Sequence, residues 1–187
     1  MNKKGRLIII SAPSGTGKTS VIQRFLFTHP HMMHSVSCTT RSKRGQEVDG
    51  KDYHFIDELT FKTWIKENKF AEWAKYCGHI YGTLKEPLDK AIEQGKDVLL
   101  DLEVIGGTKL KDIYQDKAIS IFLLPPSDQE LRRRLSQRKT DSEQAQQARL
   151  KTALMELTYK DKYDYQVIND DLERACQEIE DILSSRS

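Results

Sequence analysis

Long apolar runs are scarce in this chain. The longest, AISIFLLPP from Ala118, falls well short of the ~18–20 residues a membrane-spanning helix needs and suits a buried strand closed by prolines. Cysteine is scarcer still. Cys38, Cys77 and Cys176 are widely spaced and odd in number, which makes neither a disulfide framework nor a zinc site. They are expected to be small reduced residues of a cytoplasmic protein. An excess of charge is also missing: 30 Lys plus Arg face 28 Asp plus Glu, for a net charge of +2. Neither nucleic acid nor a membrane surface is therefore expected as a partner, and any anion site must be local. Lys3, Lys4, Arg6 and LIII faintly resemble the start of a signal peptide, but the apolar run stops at Ile10 and no small-residue cleavage region follows. There is no internal repeat, low-complexity tract or long linker.

What is present suits one compact soluble domain. The 187 residues are 37% hydrophobic and 31% charged, enough for a proper core under a heavily charged surface. Four segments read as buried strands: 7–11, 97–102, 118–124 and 165–169. Each is followed by a helical pattern, which argues for a parallel sheet with helices on both faces. Ser127 and Glu130 form an S-x-x-E capping box, and Asp141 can cap a longer helix carrying Leu150, Ala153, Leu154 and Leu157. From Asp171 to Leu183, the residues Leu172, Ala175, Cys176, Ile179, Ile182 and Leu183 fall on one stripe. Residues 35–84 interrupt the alternation with short strands at 35–40, 52–56 and 71–76 and a helix near 60–69, so an inserted lobe with its own small sheet is expected.

The stretch LIIISAPSGTGKTS, residues 7–20, runs from a strand into a loop that fits G-x-x-x-x-G-K-[ST] everywhere but at its first position, Ala12. Gly15 and Gly17 allow backbone N–H groups to turn around a phosphate, and the next helix adds positive potential at its N-terminus. Lys18 reaches β- and γ-phosphates, and the Thr19 hydroxyl can ligate Mg²⁺. Alanine in place of the first glycine adds one methyl group, tolerable if φ stays negative. Asp101 ends the apolar run VLLD, where a carboxylate acting on Mg²⁺ through water is expected. Further on, Arg41 and Arg44 stand three apart beside Thr39 and Thr40, with Glu47 and Tyr53 following. Two guanidinium forks and a phenol suit a phosphate monoester. Two phosphate sites point to phosphoryl transfer between nucleotides. The histidines of HPHMMH (His29, His31, His34) are irregularly spaced and read as a polar loop rather than a metal site.

Over nearly its whole length the chain resembles the guanylate kinases. The resemblance rests on SAPSGTGKT (11–19), SVSCTTR (35–41), R-x-x-R-x-x-E (41–47), DGKDYHF (49–55), FAEWAKYCGHIYGT (70–83), DVLLDLEV (97–104), IFLLPPS (121–127), ELRRRL with a later Arg and DS (130–142), and YDYQVINDD (163–171). That family commonly carries alanine where Ala12 stands. The resemblance implies an α/β fold: a P-loop NTPase-type parallel sheet core (1–34, 85–127, 161–187), a small α+β GMP-binding lobe (35–84) and a helical lid (128–160). It implies Mg²⁺-dependent transfer of the ATP γ-phosphoryl group to GMP. Ala12, Pro13, Ser14, Gly15, Thr16, Gly17, Lys18 and Thr19 would cradle ATP, with Asn169 and Asp170 near its adenine. Arg41, Arg44, Tyr53 and Tyr81, with Glu47, would hold the GMP phosphate, while Ser37, Glu72, Thr83 and Glu103 would face the guanine. Lys18, Arg134, Arg138 and Arg149 would neutralise the transferring phosphoryl group, leaving Arg132 and Arg133 as a solvated helix face. Guanine offers N1–H and N2–H₂ as adjacent donors to a carboxylate such as Glu72, whereas adenine offers an acceptor and no 2-amino group.

Four positions depart from the common family pattern. Gly45–Gln46 replaces Pro-Gly, Glu103 stands where Asp is usual, and Ile105 replaces a frequent Gln. The rival reading is a catalytically silent guanylate-kinase-like module that binds phosphorylated ligands, opposed by Lys18, Thr19 and the lid arginines. A kinase for another nucleoside monophosphate is a second rival, opposed by Glu72. Use of dGMP, regulation and oligomeric state are not encoded legibly.

Overall fold

The computed structural model describes residues 5–76, 78–137 and 143–186. In chain order the first elements are β1 (Leu7–Ser11), α1 (Lys18–Thr28), β2 (Met33–Ser35), β3 (Cys38–Thr39), β4 (His54–Phe55), α2 (Glu58–Lys66), β5 (Phe70–Tyr76) and β6 (His79–Leu84). They continue with α3 (Lys85–Glu93), β7 (Val98–Asp101), α4 (Val104–Tyr114), β8 (Ala118–Leu124), α5 (Asp128–Ser136), α6 (Glu143–Leu157), β9 (Tyr165–Ile168) and α7 (Leu172–Ser185).

Five strands make an all-parallel sheet in the order β2-β7-β1-β8-β9. The central strand shows why LIII is apolar without alternation: both faces of the sheet are covered. Leu7 and Ile9 pack with Leu88, Leu110 and Phe122, while Ile8 and Ile10 pack with Val21, Phe25 and Ile179. Each such side chain contributes about 1.5–3 kcal/mol on burial, so a charge at Ile9 or Ile10 would lose that gain and strand an unpaired ion. The amphipathic α7 buries Ala175, Ile179 and Leu183, and Asp171 caps it by accepting the Arg174 N–H.

The core has one strand more than the four expected. Residues 35–40 do not form a single strand: Ser35 ends β2 at the edge of the parallel sheet, and Cys38–Thr39 begins the smaller one. His34, expected in a polar loop, lies within β2. An edge strand of three half-buried residues with one neighbour leaves no alternating signature to read.

The smaller sheet has the order β4-β3-β6-β5 and lies wholly within 35–84. Its strand β6 was not foreseen, because HIYGTL contains a glycine. Gly82 is there for packing: a Cβ on it would come 2.9 Å from Phe61 Cζ and from Phe70 Cδ1. Phe61 of α2 is fully buried and stacks on Phe70 at 4.4 Å between centroids.

After β8, Ser127 caps α5 by accepting the Glu130 N–H at 3.1 Å. The reciprocal half of the expected capping box does not form, since the Glu130 carboxylate pairs with Arg133 and Arg134 instead. Leu131 and Leu135 of α5 pack on Ala153 of α6. The expected cap at Asp141, like Cys77, lies outside the described residues. Among the described residues, no helix is long and apolar enough to cross a membrane.

Candidate active site

Between β1 and α1 the chain turns around its own backbone N–H groups. Gly15 and Gly17 have φ of 88° and 93°, a region that L side chains rarely enter. A Cβ would in addition bring Gly17 to 2.7 Å from Asn169 Nδ2 and Gly15 to 2.9 Å from Leu135 Cδ2. Among the described non-glycine residues only Asn68 and Gln115 have positive φ, so Ala12 is unstrained. Its methyl packs in the core with Ile10 and Val21. Pro13 accepts the Thr16 N–H through its carbonyl at 3.2 Å, closing the turn.

Gly17 is the N-cap of α1, which has neither a capping side chain nor an acid in its first turn. By contrast α2, α5 and α7 are capped by Asp57, Ser127 and Asp171. Helix α4 likewise lacks both, so what marks α1 is the pair of left-handed glycines ahead of it, and N-terminal donors with positive potential there suit an anion. Thr19, exposed, is its second residue.

Lys18 folds back on the end of β7. Its Nζ lies 2.6 Å from Asp101 Oδ1 and donates to the Leu102 carbonyl at 3.0 Å. Burial works against this charge, but Asp101 and Glu103 outweigh it and hold the pKa above the usual lysine value. A Thr hydroxyl and a carboxylate around a phosphate loop are oxygen donors of the kind Mg²⁺ prefers, with phosphates completing the shell.

The smaller sheet carries the second charged constellation. Arg41, 6% exposed, donates from Nη1 to Glu47 Oε2 at 2.9 Å and from Nη2 to Glu47 Oε1 at 2.8 Å. Glu47 also accepts the Arg44 backbone N–H at 2.7 Å, and these bonds hold its carboxyl below the usual range. Glu47 is therefore an orienting partner of Arg41 in this structure. The guanidinium lies over the Tyr53 ring at 5.3 Å, and Tyr53 meets Tyr81 edge-on at 5.9 Å. Gly45 has φ of 52°, which proline cannot adopt, and the turn closes with Glu47 N–H on the Arg44 carbonyl at 3.1 Å. With glycine at this position the Arg41–Glu47 pair is made. Arg44 itself is exposed.

Between the two sheets, Ser37, Tyr53, Glu72, Tyr81, Asp101 and Glu103 line one cleft. Glu72 is 6% exposed and accepts the Thr83 hydroxyl at 2.8 Å through Oε1. Burial raises its pKa, partly offset by that bond and by Lys109. Glu103 is the N-cap residue of α4 and makes no side-chain cap bond there. Ile105, next along, is 36% exposed.

The arginines after β8 separate in role. Arg134 donates to the Thr16 carbonyl at 3.1 Å, to the Asn169 carbonyl at 3.3 Å and to Glu130 at 2.8 Å. Asn169 supports the same carbonyl, donating from Nδ2 to Thr16 O at 2.7 Å. Both residues brace the outside of the phosphate loop, and Asp170 pairs with Arg174. Arg149 is half buried on α6. Arg138 lies outside the described residues. Arg133 pairs with Glu130 at the surface.

Two further residues escaped sequence reasoning, one lining the cleft and one touching the phosphate loop. Gly106 lets α4 approach Glu72, since a Cβ there would sit 2.9 Å from Glu72 Oε2. Its signal, one glycine in a helix, does not reveal a distant partner. Glu156 of α6 is 3% exposed and accepts the Ser14 N–H at 3.3 Å. Here a signal existed: Glu156 follows Ala153 by three residues, so helical spacing puts it on the buried face.

Known proteins bear the same pattern. The family model described as guanylate kinase matches residues 4–186. The guanylate kinase of Synechocystis sp. is 46% identical over 176 residues, covering 94% of this chain and 92% of that relative. The guanylate kinase of Rubrobacter xylanophilus is 44% identical over 181 residues, covering 97% and 94%. In three dimensions, the crystal structure of guanylate kinase from Anaplasma phagocytophilum aligns with a TM-score of 0.82 at 31% identity, covering 98% of this chain and 86% of that one. With a phosphate loop, an Arg41–Glu47 pair and a cleft that holds a buried carboxylate, and with a family model and relatives that match nearly its whole length, the chain belongs to the guanylate kinase family.

Proposed function

We propose that the chain transfers the γ-phosphoryl group of ATP to GMP, giving ADP and GDP, in the cytoplasm. The observation that carries this reading is the placement of Asp101, which pairs with Lys18 of the phosphate loop at 2.6 Å and lines the same cleft as Tyr53, Tyr81 and the buried Glu72. ATP would take the loop of Ala12 to Thr19. Mg²⁺, when bound, supplies charge neutralisation on the phosphate oxygens; Thr19 and, through water, Asp101 would hold it.

Arg41 is pre-set by Glu47 to receive the GMP phosphate, with Arg44, Tyr53 and Tyr81 around it. Glu72 faces the guanine, supported by Thr83, with Ser37 and Glu103 beside it. The cost of burial that Thr83 and Lys109 leave is offset by a base that offers two adjacent N–H donors, which guanine has and adenine lacks. The accepting oxygen already carries negative charge, so no general base is required. Catalysis is then positioning and charge neutralisation. Lys18 and Arg149, with Arg138, serve the transferring group, and Arg134 acts by bracing the loop through Thr16. Residues 35–84 and 128–160 are proposed to close over the substrates as lobe and lid.

The test is a coupled ADP-release assay with MgATP and GMP, dGMP, AMP, CMP or UMP as acceptor. Turnover is expected with guanine acceptors only. GMP binding without turnover would replace this reading with that of a silent binding module.

A further inference from the structure

Glu156 has no part in the reaction as described, yet it touches the phosphate loop. It is the penultimate residue of α6, 3% exposed, and its Oε2 accepts the Ser14 N–H of the phosphate loop at 3.3 Å. The groups that face it come from every neighbouring element: Lys18 of α1, Glu103 at the start of α4, Tyr76 of β5 and Tyr163 ahead of β9. The loop, the smaller sheet and the segment after β8 therefore meet at one acid.

A carboxylate is poorly accommodated there. It is buried, it faces a second carboxylate, and it lies at the negative end of its own helix. Burial first, then Glu103, push its pKa up to about 7, against the relief offered by Ser14 N–H, Lys18 and Tyr76. A nucleoside triphosphate brings more negative charge to the same loop. Beside it a carboxylate repels, whereas a neutral carboxyl can donate to a phosphate oxygen.

We propose that Glu156 is a proton-linked positioning residue: in the empty loop its carboxylate takes an anion's place at Ser14 N–H, and binding of ATP proceeds with uptake of one proton from solvent onto that carboxylate. The only bond formed is O–H. The inference rests on the reading of the loop as an ATP site.

Calorimetry of MgATP binding, without acceptor and in buffers of different ionisation enthalpy, tests it. Uptake should approach one proton per nucleotide at about pH 8 and fall towards none at about pH 6, with affinity dropping up to about tenfold per pH unit on the alkaline side. Glu156→Gln keeps an oxygen for Ser14 N–H and a donor for phosphate. It should bind MgATP with no uptake and an affinity flat in pH. MgATP binding without uptake in the unaltered protein, or with the same uptake in the variant, overturns the proposal while leaving the ATP site standing. If the variant does not fold, the pH slope of the unaltered protein decides alone. Failure of MgATP to bind at all would remove the ATP site and this inference together.

Discussion

The two regions proposed to hold phosphates are made of different material. The loop between β1 and α1 is backbone: two left-handed glycines and a helix end left without a cap. The clamp on the smaller sheet is side chain, a guanidinium held in register by a carboxylate with two bonds under 3 Å. A backbone site tolerates a changed side chain such as Ala12, provided φ suits it. A side-chain site tolerates a changed turn such as Gly45–Gln46, provided the ion pair survives. Each region is sensitive where the other is forgiving.

The largest break should come at the point where backbone donors meet a charge. Lys18→Met is expected to lower kcat by roughly 10²–10³-fold or more, because one fixed cation on the transferring group is lost; steady-state kinetics at saturating GMP reads this. Arg41→Lys comes next. A lysine cannot reproduce the fork that Glu47 holds, so kcat/KM for GMP should drop about 10–100-fold with KM for ATP unmoved. An equal effect on both substrates would remove the distinction between the two regions.

Gly106→Ala should act on the base alone. Its methyl would displace the Glu72 carboxylate from 2.9 Å away, raising KM for GMP about tenfold and narrowing the preference for GMP over AMP. The smallest effect concerns stability. The Glu156 carboxyl is raised to about 7 by burial, so the native state holds its proton more tightly than the unfolded chain does. Stability is therefore lost as pH rises from the ordinary carboxylate range through about 7. Glu156→Gln should melt at the same temperature as the parent near pH 4 and a few °C higher above about pH 7.

How far the sequence could be read depended on where each residue's partners lie. The phosphate loop was legible because its signal is local: strand, glycines, lysine and helix fall within fourteen residues. The central strands were legible because a sheet covered on both faces demands unbroken apolar runs. The edge strand Met33–Ser35 and strand His79–Leu84 were not, one having a single neighbour and the other a glycine placed for packing. Arg134 was expected at the transferring group and Asn169 near the adenine; the bond each makes to the Thr16 carbonyl joins segments 118 and 153 residues apart, respectively, and has no local signature.

The amino-acid order by itself determined four strands of the parallel core, the phosphate loop and the family, since each rests on spacing within a short segment or on motif order. Tertiary structure alone decided what the buried carboxylates touch. Glu72 against Gly106, Glu103 beside Glu156, and Glu156 on Ser14 are pairs brought together from distant segments. Burial and electrostatic neighbourhood are properties of the folded surface, and these set the charge state of an acid.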